Sequence, residues 1–539
     1  MRVNECVAQF LSDNGISTVF GVMGDANMFY LDHFVRKGGG KYVAAAHEAG
    51  ATLMALGYAS VSRQIGVASV TQGPALANAV PALLEGVRAR LPVVLMAGDI
   101  SSSKTHLQRL EQRELVLATG AGFEHARNPE SVIADMHAAF RRAHTERRPV
   151  VFNLPTEWQW RETAYARTLL KLRSRHGVVS DSQDLEDAVG IIAGAKRPII
   201  LAGRGATMPQ ARDAILALAR RLGAPVMTTL MAKDLYYGED CSIGVMGTVS
   251  STEAIEALLV SDCLIAFGAS LTSNTTSKKS LVRGKRIVLV NDDPADLDNG
   301  QLVNAAVIGD SGSVAERIMH WLDEAEIPSS RFSEEGVART AMAAHRPKPF
   351  EIPVDGPTDA RTVLRCINSI VPDDRVFVTD GGRALGEAWT HIHVTDPRLF
   401  VLGHNSGAIG LGMSQAIGAA VAEPNRPTVL VTGDGGFMMG GLTEFNTAVR
   451  NKLDLIIVML NDCSYGSEHI QFRDRQMDPS LANFDWPDFA PVAQALGGMG
   501  VTVRSLKDMG RLAEVLKRRS RPVLIDVKMD PDRMPSPPW

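Results

Sequence analysis

Pro427-Thr428-Val429-Leu430-Val431-Thr432-Gly433-Asp434-Gly435-Gly436-Phe437, and further on Leu455 to Leu460 followed by Asn461-Asp462-Cys463, are the stretches that decide this chain's fold. Residues 427–432 are short, β-branched and apolar, as in a strand buried on both faces of a parallel sheet. Asp434 then stands at a strand's carboxyl end, where α/β sheets bind their ligands. Leu442, Phe445, Ala448 and Val449 recur at helical spacing, which puts Gly440 and Gly441 near a helix N-terminus whose free N–H groups favour a phosphate. Asn461 closes the second strand 27 positions after Asp434. A strand-helix-strand unit of that length returns the chain beside its start, so both side chains reach one cation. A carboxylate, an amide oxygen and the Cys463 carbonyl suit Mg²⁺, which takes oxygen ligands in octahedral geometry and keeps places for diphosphate oxygens and water.

A Gly-Asp-Gly segment alone is also a common tight turn. Taken with its second strand, however, the pattern resembles the cofactor motif of the thiamine-diphosphate family that includes acetolactate synthase, pyruvate oxidase, benzoylformate decarboxylase and pyruvate decarboxylase. The resemblance implies two cofactors, thiamine diphosphate and Mg²⁺. It implies metal ligation by Asp434, Asn461 and the Cys463 backbone, with Gly433, Gly435 and Gly436 against the diphosphate. Leu460 departs from the pattern, since many members carry an Asn before the metal Asn.

A second element lies near the N-terminus, where a strand from Lys41 to Ala46 leads into His47-Glu48-Ala49-Gly50-Ala51 and a helix with Met54, Leu56 and Tyr58. It resembles the family's catalytic segment, in which a carboxylate hydrogen-bonded to the aminopyrimidine ring nitrogen activates the cofactor; here that residue is Glu48. A Glu at a helix N-terminus also favours the helix dipole, whatever else it does. Asn405-Ser406-Gly407-Ala408-Ile409-Gly410 is similar to the segment that bends the cofactor, with Ile409 as the apolar wedge and the Gly407 carbonyl as acceptor of the amino proton.

Further positions bear on substrate. Gly21-Val22-Met23-Gly24-Asp25-Ala26-Asn27 is similar to the turn that presents an Asp to substrate in pyruvate and indolepyruvate decarboxylases, making Asp25 a candidate for proton transfer; Asp beside Gly is equally a favoured turn. Thr71-Gln72-Gly73-Pro74-Ala75-Leu76-Ala77-Asn78 resembles a cofactor loop of the family, with Ala75 replacing a glycine. The paired histidines of pyruvate decarboxylases are missing at Thr105-His106, and Thr71 stands where benzoylformate decarboxylase has its His. Leu107-Gln108 is similar to a Phe-Gln pair of acetolactate synthases, which makes Gln108 a substrate-pocket candidate. Glu468, in Tyr465-Gly466-Ser467-Glu468-His469, is a candidate acid-base group in the segment that closes over substrate in many members.

At 539 residues the chain is long enough for several cores. Its 45% hydrophobic and 22% charged content is that of a water-soluble globular protein. A net charge of −4 with no basic run excludes a nucleic-acid footprint. No apolar stretch approaches a membrane span and the N-terminus lacks a signal-peptide core, so a cytoplasmic enzyme is expected. Five scattered cysteines read as reduced thiols.

Strand candidates alternating with helical patterns predict α/β architecture with three doubly wound parallel-sheet domains. By resemblance these are a pyrimidine-binding domain (residues 1–165), a middle domain (183–323) and a diphosphate- and Mg²⁺-binding domain (359–530), with linkers at 158–182 and 324–358 and a Pro-rich tail from Pro531. Gly203-Arg204-Gly205 follows a strand as a nucleotide turn would, yet Ala266 to Ser270 lacks the Arg-Phe pair of FAD-containing acetolactate synthases. The resemblance further implies a homodimer or homotetramer with active sites across subunits. The reaction expected is decarboxylation of a 2-oxo acid followed by coupling to a carbonyl acceptor, as in acetolactate synthase. Release of an aldehyde, or lysis of a 2-hydroxyacyl thioester, stay as alternatives; a noncatalytic cofactor-binding scaffold has no use for Glu48.

Overall fold

The computed structural model describes residues 1–100, 105–172, 181–297 and 303–533. Among the described residues, eighteen strands form three six-stranded sheets. The first holds β1 (Thr18–Gly21), β2 (Lys41–Ala44), β3 (Gly66–Val70), β4 (Val93–Asp99), β5 (Gly122–His125) and β6 (Val150–Pro155). The second holds β7 (Pro198–Ala202), β8 (Val226–Thr228), β9 (Ser242–Val245), β10 (Cys263–Phe267), β11 (Arg286–Asn291) and β12 (Ala305–Ile308). The third holds β13 (Val376–Thr379), β14 (Phe400–Leu402), β15 (Thr428–Gly433), β16 (Leu455–Asn461), β17 (Met499–Val503) and β18 (Val523–Lys528).

The first sheet runs β2-β1-β3-β4-β6-β5 and the third β14-β13-β15-β16-β18-β17, so the two share one strand order. The second runs β12-β11-β10-β7-β8-β9, the order of dinucleotide-binding folds. Parallel pairing through the centres, such as β15 with β16 and β3 with β4, requires helical crossovers, and helices intervene accordingly. The chain has three doubly wound α/β domains. By compactness it forms two units: Met1–Leu172, Ile352–Ala388 and the described residues from Val401 onward compose the first, and those of Arg173–Glu351 with Trp389–Phe400 the second.

Inside the first unit, helix Glu48–Ser62 of the N-terminal lobe packs against helix Gly412–Ala422 of the C-terminal lobe, main chain meeting main chain at Gly57 and Gly418. A Cβ at Gly57 would lie 2.0 Å from the Gln415 carbonyl oxygen, and one at Gly418 only 1.8 Å from that of Met54. The two glycines permit backbone-to-backbone approach that no other residue allows.

In the second unit the turn after β7 meets the end of β10 directly, the Gly205 N–H donating to the Gly268 carbonyl at 3.0 Å. The segment 324–358, expected as a linker, carries helix Gly336–His345, which buries Ala338 and Ala341 in a core shared with Phe332. The expected first linker, 158–182, opens on the last residue of a single 3₁₀ turn, Thr156–Trp158, while 173–180 lie outside the described residues, as do 534–539 of the tail. All five cysteines are free, four of them buried. Among the described residues no helix is long and apolar enough to cross a membrane.

Candidate active site

Gly433 of β15 pairs with Leu460 of β16, so Asp434 and Asn461 emerge from the carboxyl ends of adjacent strands. Both are almost fully buried, at 2% and 1% exposure. Asp526, on the next strand β18, accepts the Asn461 Nδ2–H at 2.8 Å. That bond fixes the amide so that Oδ1 faces the Cys463 turn, where it accepts the Cys463 N–H at 3.1 Å and lies 3.4 Å from Sγ. Cys463 itself adopts a left-handed φ of 53°, and its carbonyl accepts the Phe484 N–H at 2.8 Å, leaving its second lone pair for a further partner.

Asp434 Oδ2 accepts the indole N–H of Trp486 at 2.9 Å, and Trp486 stacks on Phe484. Burial, reinforced by the charge of Asp462, pushes the Asp434 carboxyl up to about 7, against the opposing pull of nearby N–H groups. A buried carboxylate held so high has no cationic side chain in a salt bridge among the described residues, and a divalent cation is the natural compensation. Among the described residues no cluster of three His, Cys, Asp or Glu side chains forms a metal site. The donors gathered here are instead one carboxylate and neutral oxygens, the chemistry a hard cation prefers.

The helix start differs from the expected one. Helical backbone begins at Asp434 itself, widens into a π turn at Phe437–Gly441 and continues as Leu442–Arg450. The free N–H groups therefore belong to the turn beginning at Asp434, not to Gly440 and Gly441. Gly440 has another use: a Cβ there would lie 2.0 Å from the Gly410 carbonyl oxygen, so its absence lets the Ile409 loop rest on the π turn.

That loop is also held from beneath by a residue the sequence reading did not single out. Asp380, at the end of β13, accepts the Gly410 N–H at 2.9 and 3.1 Å, the Gly381 N–H at 2.7 Å and the Thr432 hydroxyl at 3.2 Å. It thereby ties the loop to the strand that carries Asp434, although burial raises its pKa. Ile409 is half-buried, and Gly407, with φ of 87°, is exposed. The signal for Asp380 was present, since Thr379-Asp380-Gly381-Gly382 repeats the strand-then-Asp-Gly pattern of the decisive stretch.

In the N-terminal lobe Glu48 is the first residue of its helix, and the preceding His47 caps it, Nδ1 accepting the Ala49 N–H at 3.1 Å. Glu48 Oε2 accepts Asn78 Nδ2–H at 3.0 Å, which joins it to the Thr71–Asn78 segment. The Gly24 turn packs on Thr71, and Gln72 Nε2 donates to Gln108 Oε1 at 2.9 Å, so Asp25, Gln72 and Gln108 belong to one neighbourhood. Asp25 itself is exposed. Glu468 is exposed on helix Gly466–Asp474, whereas its neighbour His469 is buried between Asn483 and Asp532.

Three models of known domains match the chain in order: the thiamine pyrophosphate enzyme N-terminal TPP binding domain at residues 1–118, the central domain at 185–318, and the C-terminal TPP binding domain at 380–527. The chain belongs to the thiamine diphosphate enzyme family. Asp434, Asn461 and Cys463 lie within the stretch matched by that family's C-terminal domain, and Glu48 within that matched by its N-terminal domain. Among its relatives are the sulfoacetaldehyde acetyltransferase of Castellaniella defragrans, 27% identical across 95% of this chain and 89% of the relative. The acetolactate synthase large subunit of Haemophilus influenzae is 24% identical across 98% and 94%, and acetolactate synthase isozyme 2 large subunit of Escherichia coli 27% across 98% and 96%. A solved structure, the thiamine diphosphate-dependent 4-hydroxybenzoylformate decarboxylase of Rhodococcus jostii RHA1, shares the fold with a TM-score of 0.81 at 21% identity, covering 99% of this chain and all of that one.

Proposed function

We propose that this family member is a Mg²⁺-dependent 2-oxo acid decarboxylase and carboligase, acetolactate synthase-like in reaction. The observation that carries the reading is the emergence of Asp434 and Asn461 side by side, with the amide oxygen of Asn461 turned away from Asp526. Asp434, Asn461 and the Cys463 carbonyl would hold Mg²⁺ against the cofactor's diphosphate, in contact with Gly433, Gly435 and Gly436. Bound thiamine diphosphate supplies an electron sink for the bond to the departing carboxylate of a 2-oxo acid.

The protein's own groups do the rest. Glu48 would hold a proton at the pyrimidine ring nitrogen, the Gly407 carbonyl would accept from the amino group, and Ile409 would supply apolar support. Asp25 and Gln108 face the substrate side and Glu468 serves as an acid-base group. Two relatives whose names denote acetolactate synthesis and acetyl transfer support a coupling reaction with a carbonyl acceptor. The enzyme acts as a cytoplasmic homodimer or homotetramer, with Glu48 of one copy serving the Asp434 site of another.

A panel of 2-oxo acids, each with and without aldehyde or ketone acceptors, tests this through CO₂ and coupled product measured together. Release of aldehyde alone would assign a simple decarboxylase, and turnover of 2-hydroxyacyl thioesters a lyase. No CO₂ from any acid would overturn the decarboxylation itself.

The high carboxyl of Asp434 adds a pH signature. Proton and Mg²⁺ compete for the same oxygens, so Mg²⁺ affinity is expected to rise about tenfold per pH unit below 7 and to level off above it. The sign for the metal-free fold is opposite. A carboxyl raised from 3.8 to about 7 takes stability away as pH climbs through that window, and Mg²⁺ restores it. Calorimetric titrations between pH 5.5 and 8 on the order of half a unit apart check both; a flat Mg²⁺ profile would separate Asp434 from the cation.

A further inference from the structure

We infer that Glu85 and Glu444 are positioning residues, each reaching from one lobe to set the loop with which the other lobe holds the cofactor's pyrimidine; this rests on the proposed site. Glu444 lies on helix Leu442–Arg450 at 1% exposure, in the C-terminal lobe. Its Oε1 accepts the Ala46 N–H at 3.0 Å and the His47 N–H at 3.2 Å, and its Oε2 accepts the Ala46 N–H at 3.2 Å. Thr447 supplies a further hydrogen bond. Those backbone groups immediately precede Glu48.

Glu85 mirrors it from the N-terminal lobe. It is wholly buried on helix Val80–Ala89 and accepts the Asn405 N–H at 3.0 Å, Asn405 Nδ2–H at 2.9 Å and the Ser406 N–H at 2.7 Å, with Gln415 Nε2 at 3.5 Å. These groups immediately precede Gly407 and Ile409. The two helices follow β3 and β15, which hold the same place in two sheets of identical strand order, so the arrangement is reciprocal.

Burying a carboxylate is unfavourable unless several donors meet it, and burial raises the Glu444 pKa despite them. A core needing only adhesion would be served as well by apolar side chains. What carboxylates add is direction: each takes two consecutive backbone N–H groups and so fixes the path of the chain at the residue before a cofactor contact. Gly50 makes room for this, since a Cβ there would stand 2.2 Å from Glu444 Oε1.

The test is amide exchange of the full-length protein without cofactor, followed by thiamine diphosphate and Mg²⁺ titration and steady-state kinetics. Glu444→Gln is expected to speed exchange about tenfold or more at 44–50 and not at 403–408, and Glu85→Gln the reverse, because the amide offers one acceptor where the carboxylate offered two. Both variants should lose about tenfold or more in kcat with KM changed little, since misplaced loops still admit substrate. Gly50→Ala, which displaces the Glu444 carboxylate, and Asn405→Ala, which removes one Glu85 donor, should reproduce the respective patterns more mildly. Unchanged exchange, faster exchange throughout the chain, global unfolding of all four variants, or local loosening with normal kcat would each overturn the proposal. A wild-type protein that binds no thiamine diphosphate would defeat the proposed function instead, and the exchange pattern would then report the clamps by themselves.

Discussion

Glu48→Gln is expected to lower turnover by about 10²- to 10⁴-fold, the range for a positioned acid-base group, while thiamine diphosphate and Mg²⁺ bind much as before. The substitution keeps the side chain's length, and its amide oxygen can take the place of the Glu48 oxygen that accepts from Asn78, so the hydrogen bond that orients residue 48 survives. His47 still caps the helix. What disappears is the negative charge at the helix start, a loss of about 1 kcal/mol or less in stability, and with it the ability to hold a proton on the pyrimidine nitrogen. Rapid-mix kinetics beside a cofactor titration separates the two effects. Normal turnover in the variant would remove Glu48 from the mechanism; lost binding with lost turnover would make it an anchor rather than an activator.

Asp434→Ala is expected to abolish Mg²⁺-dependent cofactor binding while leaving the metal-free fold as stable as before, or more so. The two signs differ for one reason. In the absence of a cation the buried carboxylate is a burden, its pKa pushed up to about 7 by burial and by Asp462. Removing it relieves up to about 4 kcal/mol above pH 7, at roughly 1.4 kcal/mol per pKa unit. Against this stands the Trp486 indole N–H, which loses its acceptor at a cost of about 1–3 kcal/mol. Thermal melts with and without Mg²⁺ and thiamine diphosphate read both quantities: the wild type should gain stability on addition and the variant should not. A variant that still gains would place the cation elsewhere.

The central strands were legible because they are buried on both faces, which leaves continuous apolar runs: β15 and β16 occur where residues 427–432 and 455–460 put them, at Thr428–Gly433 and Leu455–Asn461. Edge strands such as β5, β9 and β12 escaped notice, being only four residues each. β18 was hidden for a functional reason. Asp526 interrupts its apolar run, and Asp526 is there to hold the Asn461 amide. The juxtaposition of Asp434 and Asn461 was readable from spacing, since the two need only a strand-helix-strand unit to meet. The supports were not. Glu85 and Glu444 act on residues more than three hundred positions away, and nothing local distinguishes them from ordinary helical glutamates. The glycines at 440 and 441 misled because a glycine pair suggests a helix start, whereas here Gly440 serves the close approach of Gly410.

The main-chain contact of helices Glu48–Ser62 and Gly412–Ala422 at Gly57 and Gly418 has a mechanical consequence. One helix begins at Glu48, and the other begins three residues after Ile409. Where long side chains separate two helices, they can slide by changing rotamers; at Gly57 and Gly418 main chain rests on main chain, and that cushion is missing. The pair therefore behaves as a stiff axle: displacement of one end is conveyed to the other rather than dissipated along the way.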